Sequence, residues 1–147
     1  MLTGEAFVLG DWVSADDISP ASAFSDSPEE IRESCLKYIS PGAELKGKVI
    51  VAGKNFGWGS YRESAALCLK YSGVVAVMAE SFGYGMFRNL INLGIPALVG
   101  SISAEGGEMI EIDIERRTAH CCGRNHRVEI SDTAMEVLMK GGLADVL

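Results

Sequence analysis

Two glycine-punctuated passages from strand to helix, in the middle of the chain, constrain its fold more than any other feature. Residues 48–52, 74–79 and 95–99 are short runs rich in Val, Ile and Ala, the composition of buried strands. Between the first two runs, a helical stretch from about Ser60 carries apolar positions at Ala65, Cys68 and Leu69 and is closed by Gly73. Between the second and third, a helix over residues 86–93 is closed by Gly94. Three strands alternating with two helices imply parallel strands joined by right-handed crossovers, because each helix must pass over the sheet to return the chain to the same end.

The flanks complete the reading. Residues 6–9 form a further strand, and Ser27-Pro28-Glu29-Glu30 supplies a cap, a proline at the first helical position and an acidic first turn for a helix to about Tyr38. Pro41-Gly42 stops it. Past residue 100 the pattern changes to short strands at 109–114, 118–121 and 127–130, separated by Glu105-Gly106-Gly107 and Gly123-Arg124-Asn125. A last helix runs from a Ser131 or Asp132 cap to about Lys140. No repeat, low-complexity tract or linker interrupts the 147 residues, and 48% hydrophobic content is enough to bury a core, so one domain over 1–147 is expected.

A formal charge of −7 disfavours nucleic acid and anionic membrane, both of which reward a basic surface. MLTGEAFVLGDW has no basic leader followed by a long apolar run, so a soluble, cytoplasmic protein is expected. Cys35, Cys68, Cys121 and Cys122 form no C-x-x-C pair and are too sparse for a secreted disulfide framework, which leaves free buried thiols as the expectation. On an extended segment His120 and Cys122 share one face while Cys121 points to the other. A zinc site built from that cluster would lack most of its ligands, and no metal is assigned to the chain.

The loop Gly53-Lys54-Asn55-Phe56-Gly57-Trp58-Gly59 places three glycines in seven residues between a buried strand and a helix. Glycine lets the backbone turn sharply and approach a ligand with no Cβ in the way. Backbone N–H groups of the next helical turn then face solvent, where they favour an anion. Ser60 and Arg62 stand at this mouth. A guanidinium grips a carboxylate through paired charge-assisted hydrogen bonds, and the same positive field helps a nearby serine lose its proton. The loop alone fits an anion cradle, a nucleotide site or a tight turn without a ligand. Against the nucleotide, Arg62 stands where the dinucleotide fingerprint requires glycine, and the Walker lysine-serine pair is missing. Taken singly, Ser60 reads as a helix cap, Arg62 as a solvated charge and Asp16 as a turn cap.

Three separate segments carry a resemblance. Gly10-Asp11, Asp16 and Ile18 fit an opening G-D-x-x-x-x-D-x-I pattern. Val51-Ala52-Gly53-Lys54-Asn55-Phe56-Gly57-x-Gly59-Ser60-x-Arg62-Glu63 fits a signature loop, and Ser81-Phe82, Arg88-Asn89, Ile91-Asn92, Gly94 and Pro96 fit the helix and strand that follow. Together with a closing Gly141-Gly142-Leu143, these resemble the small subunit of 3-isopropylmalate dehydratase, equivalent to the swivelling C-terminal domain of aconitases.

The resemblance implies an α/β fold of the aconitase swivelling β/β/α type, with a partly parallel sheet core and an added C-terminal β-layer. It implies a hydro-lyase or isomerase subunit acting on a 2-hydroxy dicarboxylate: 3-isopropylmalate of leucine biosynthesis first, with homoaconitate, methylmalate or dimethylmalate behind it. A larger partner subunit, in a heterodimer or heterotetramer, is expected to carry a 4Fe-4S cluster held by three cysteines, and this chain to bind no cofactor itself. Ser60 maps onto the serine base, Arg62 onto the arginine that holds a substrate carboxylate, and Asp16 onto an active-site aspartate of the first loop. Gly59 and Tyr61 beside them are expected substrate contacts.

The chain departs from the pattern at Trp58, where relatives carry cysteine or a small or acidic residue, at Tyr61 in place of a second serine, and at Ser64 in place of histidine. The stretch Ser19-Pro20-Ala21-Ser22-Ala23-Phe24 lacks the arginine that aconitases place downstream for an extra carboxylate, which argues against a tricarboxylate. Phe24, Trp58 and Tyr61 suit an apolar or bulky substituent. A non-catalytic anion-binding module of the same fold is the alternative to the enzyme.

Overall fold

Val49, Ile50, Val77, Met78, Ala97 and Leu98 are fully buried, the mark of strands covered on both faces. They belong to β2 (Lys48–Ala52), β3 (Ala76–Ala79) and β4 (Ala97–Val99), which run parallel with Ala52 level with Ala79 and Val77 level with Ala97. The computed structural model describes residues 1–20, 27–59 and 63–141. Helix α3 (Ser64–Tyr71) connects β2 to β3, and α4 (Tyr84–Asn92) connects β3 to β4, as the alternation requires.

β1 (Leu2–Val8) joins two kinds of sheet. On one edge it pairs parallel with β2, Glu5 opposite Lys48 through Val8 opposite Val51. On the other it pairs antiparallel with β5 (Met109–Asp113), Leu2 opposite Ile112 and Glu5 opposite Met109. The Lys48 ammonium lies 2.8 Å from the Glu5 carboxylate across the first pairing, and that contact holds the Glu5 carboxyl below its ordinary range. β6 (Thr118–Cys121) and β7 (Arg124–Arg127) extend the antiparallel side, giving one seven-stranded sheet in the order β4-β3-β2-β1-β5-β6-β7. On this side burial alternates, with Ile110 and Ile112 buried and Met109 and Glu111 exposed, as expected of a sheet with one wet face.

Among the described residues the remaining helices are α1 (Ala15–Ile18), α2 (Pro28–Ser34) and α5 (Asp132–Met139). Ser27 caps α2 with proline at its start, and Ser131 caps α5, both as expected. α2 stops at Ser34 and not near Tyr38, because Cys35 turns to extended backbone at ψ 123° and Leu36 follows with a positive φ of 56°. Among the described residues no helix is long and apolar enough to cross a membrane.

Two further expectations are corrected. The strand placed at 127–130 lies at Arg124–Arg127, and Val128–Ile130 contributes only an isolated bridge from Glu129 to Val99. Gly123-Arg124-Asn125 reads as a turn in sequence because β7 is a sheet edge, almost wholly exposed and as polar as a loop. Cys35 and Cys68 are joined by a disulfide with their Cα atoms 5.5 Å apart, so free thiols do not hold for this pair. The packing of α2 on α3 sets that separation, which sequence spacing cannot report.

Candidate functional site

Three neighbouring parallel strands, β1, β2 and β3, release their chains at the same end of the sheet, and the three loops that follow interlock. In the loop after β2, the Gly53 amide donates to the Gly10 carbonyl at 3.2 Å and the Lys54 amide to the Asp11 carboxylate at 2.9 Å. The Trp12 amide returns a bond to the Lys54 carbonyl at 2.7 Å, and the Gly57 amide reaches the Val13 carbonyl at 2.7 Å. On the other flank the Ser81 hydroxyl accepts from the Asn55 amide at 2.8 Å, its carbonyl accepts from Phe56 at 3.0 Å, and the Gly83 amide donates to the Phe56 carbonyl at 2.8 Å. The glycine loop is therefore held from both sides by the two segments that sequence alone had matched to it.

Its glycines differ in what they do. A Cβ on Gly53 would strike the Asp11 carboxylate, and one on Gly57, at φ 79°, would lie 2.3 Å from Met86 Cγ on α4. Both are needed for close packing. Gly59, at φ 97°, is exposed, and among the described residues nothing lies within 4 Å of its Cβ position.

Asp16 lies in the first turn of α1, exposed. The Ala15 amide just before it donates to the Trp58 carbonyl at 2.8 Å, which ties α1 to the mouth of the glycine loop. The turn cap that Asp16 was a candidate for belongs to Asp17, whose carboxylate accepts from the Ser14 amide at 2.9 Å while the Ser14 hydroxyl accepts from the Asp17 amide at 3.0 Å. Among the described residues the Asp16 side chain makes no hydrogen bond or ion pair. Ser60, Tyr61 and Arg62, together with Phe24, lie outside the described residues. Ser64 is half-buried at the first position of α3.

Exposed aromatics rim the mouth. Trp58 is 45% exposed, donates its indole N–H to the Trp12 carbonyl at 3.0 Å, and meets the Trp12 ring edge-on at 6.3 Å. Tyr84 is 80% exposed, next to Gly83, where a Cβ would touch the Trp58 backbone at 2.6 Å. Trp12 and Tyr84 were not singled out from sequence; an aromatic at a loop bend or a helix start carries no signal until the fold brings it to Trp58.

The cysteines do not fit a 4Fe-4S cluster held by three thiols of this chain. Two are joined to each other, and Cys121 and Cys122 sit at the β6–β7 turn. There the alternation expected of an extended segment fails, because Cys122 takes φ 59° and turns the chain. The two sulfurs, expected on opposite faces, lie 2.9 Å apart, and the Glu108 carboxylate accepts from the Cys122 thiol. Sharing hydrogen bonds with Cys121 and then Glu108 pushes the Cys122 thiol up to about 12. His120, the residue weighed as a ligand, instead pairs its Nδ1 with the Asn125 side-chain oxygen at 2.8 Å.

Residues 22–100 match the model of the aconitase C-terminal domain. Over 156 residues the chain is 38% identical to the 3-isopropylmalate dehydratase small subunit of Pyrobaculum islandicum, covering 99% of this chain and 96% of that protein. It is 34% identical over 155 residues to the methanogen homoaconitase small subunit of Methanocaldococcus jannaschii, covering 100% of this chain and 91% of that protein. The fold matches the crystal structure of 3-isopropylmalate dehydratase from Methanocaldococcus jannaschii with a TM-score of 0.91 and 33% identity, over 98% of this chain and 91% of that one.

Proposed function

Because this chain belongs to the aconitase C-terminal domain family, we propose that it is the small subunit of a 3-isopropylmalate dehydratase, working in the cytoplasm with a large subunit that carries the 4Fe-4S cluster. The observation that carries the reading is the interlocking of the Asp11 loop, the glycine loop and the Ser81 connection at one end of the parallel strands, with Gly59 exposed and Asp16 free of capping duty. That is the end at which open α/β sheets bind ligands.

In this mechanism Arg62 holds a substrate carboxylate through paired hydrogen bonds, and Ser60 takes a proton from the carbon beside a carboxylate. A free serine hydroxyl is far too weak an acid to act as a base at neutral pH, so Ser60 works only inside the positive field of Arg62 and the nearby helix start. Asp16 offers an acceptor to a substrate hydroxyl or to the water released. A 4Fe-4S cluster held by the large subunit would supply Lewis-acid chemistry at the substrate hydroxyl once the two subunits are assembled. Loss of water followed by its return at the neighbouring carbon moves the hydroxyl and gives the isomer.

The test is co-expression with the large subunit, anaerobic purification and a screen of 2- and 3-hydroxy dicarboxylates for the unsaturated intermediate. Turnover of 3-isopropylmalate, abolished by Ser60→Ala while the complex stays assembled, is expected. A preference for homoaconitate would move the substrate assignment toward the second group of relatives. Full turnover in Ser60→Ala, or an assembled complex that binds dicarboxylate without turning any over, would overturn the enzymatic role given to this loop.

A further inference from the structure

The β6–β7 hairpin gathers donor atoms that the dehydration does not use. Cys122 and Gly123 form its two-residue turn, with φ values of 59° and 76°, between the paired residues Cys121 and Arg124. Asparagine, aspartate or glycine is the ordinary first residue of such a turn, because a Cβ at positive φ is crowded. Cysteine stands there instead, and the turn carries its sulfur to 2.9 Å from that of Cys121. Glu108, at the entry to β5, closes the group. One of its carboxylate oxygens accepts from the Glu105 amide at 2.6 Å, and the other accepts from the Cys122 thiol. The ligand atoms of Glu108, Cys121 and Cys122 all lie within 4.8 Å of one another.

We propose that Glu108, Cys121 and Cys122 form a surface site for one thiophilic divalent cation, with Zn2+ the ion best matched to two thiolates and a carboxylate. Three electron-rich atoms facing one another are held together in the metal-free chain by shared thiol protons; a cation satisfies the same three atoms with more charge. Tetrahedral zinc with Zn–S bonds near ~2.3 Å keeps its sulfurs ~3.7 Å apart. The two thiols, at 2.9 Å, must therefore open by less than ~1 Å. Cys121 is buried and Cys122 exposed, so the inner sulfur is fixed and the outer one makes the adjustment. The fourth position falls to water or to the Ser103 carbonyl, which lies 3.9 Å from the Cys122 sulfur. Binding releases two protons to solvent, one from each thiol, and the overall charge of −7 favours the cation. Since β1 and β5 separate β6 from β2 in the sheet, the site is distinct from the glycine loop that follows β2.

The experiment uses the full chain, stripped of metal and reduced, titrated with Zn2+ against a chromophoric chelator and separately with Co2+ under anaerobic conditions. One equivalent of Zn2+ and a thiolate-to-cobalt charge-transfer band are expected. Cys122→Ser, at an exposed position, should weaken Zn2+ binding by about tenfold or more and diminish the band. Glu108→Gln should weaken binding while leaving the band, because both sulfurs remain. A Cys35→Ser/Cys68→Ser chain should bind as the parent does, which separates this site from thiols exposed by the reductant. Zn2+ affinity unchanged in Cys122→Ser, no charge-transfer band in the parent, or loss of binding only when Cys35 and Cys68 are replaced would each overturn the proposal.

Discussion

The amide of Ala15 donates to the carbonyl of Trp58 at 2.8 Å, so the first turn of α1 and the mouth of the glycine loop form one piece. Any change that loosens α1 therefore acts on the loop, and Asp16 is placed by that bond more than by its own side chain.

The two carboxylates of α1 should separate stability from turnover. Asp17→Ala removes half of a capping box and should cost about 1 kcal/mol in urea unfolding. Asp16→Asn should stay within about 0.5 kcal/mol of the parent, since its side chain holds nothing among the described residues. In the assembled enzyme the order reverses, with Asp16→Asn lowering kcat/KM by about tenfold or more.

Gly57 and Gly59 should respond differently to the same methyl group. At Gly57 the added Cβ meets Met86 at 2.3 Å in a left-handed conformation, and Gly57→Ala should cost about 2–4 kcal/mol. At Gly59 the Cβ meets nothing among the described residues, and Gly59→Ala should cost about 1 kcal/mol from backbone strain. Equilibrium unfolding of the two variants checks both figures. Equal losses would show that Met86 moves aside.

The disulfide between Cys35 and Cys68 spans 33 residues, and closing a loop of that length in the unfolded chain is worth about 3–4 kcal/mol. Urea unfolding with and without dithiothreitol should differ by that amount. A Cys35→Ala/Cys68→Ala chain should match the reduced parent and be insensitive to the reductant.

Much of this architecture was legible in the sequence because it rests on local chemistry. The runs at 48–52 and 118–121 became β2 and β6 with the same ends, since their apolar and β-branched residues and flanking turns leave little alternative. α1 was missed: four residues show no periodicity, and its Ser14–Asp17 cap resembles any polar turn. β7 was misplaced because an exposed edge strand is as polar as a loop, and its turn depends on φ at Cys122, a residue seldom found at that position. The loops that frame the candidate site were legible by resemblance in three segments, while Ser60, Tyr61 and Arg62 themselves lie outside the described residues. That the three segments touch is a property of strand order, since β1, β2 and β3 end side by side only once the sheet is assembled.

Trp58 was singled out as a departure, and its bonds give it a dual expectation. Trp58→Phe removes the donor to the Trp12 carbonyl and should cost about 0.5–1 kcal/mol, the low end for a bond that is partly in water. Trp58→Ala also removes the edge-on contact with Trp12, adding about 0.5–1.5 kcal/mol. In the assembled enzyme, Trp58→Ala should change the ratio of kcat/KM between dicarboxylates with bulky and small substituents. An unchanged ratio would limit the ring to packing.

β1 precedes every other described strand along the chain, yet it occupies the middle of the finished sheet. One of its edges stays bare until β2 has emerged and the other until β5 has, more than a hundred residues after β1 itself. An apolar strand with an unmatched hydrogen-bonding edge invites pairing with another chain. The time between the synthesis of β2 and that of β5 is therefore the interval in which this edge is open to such pairing.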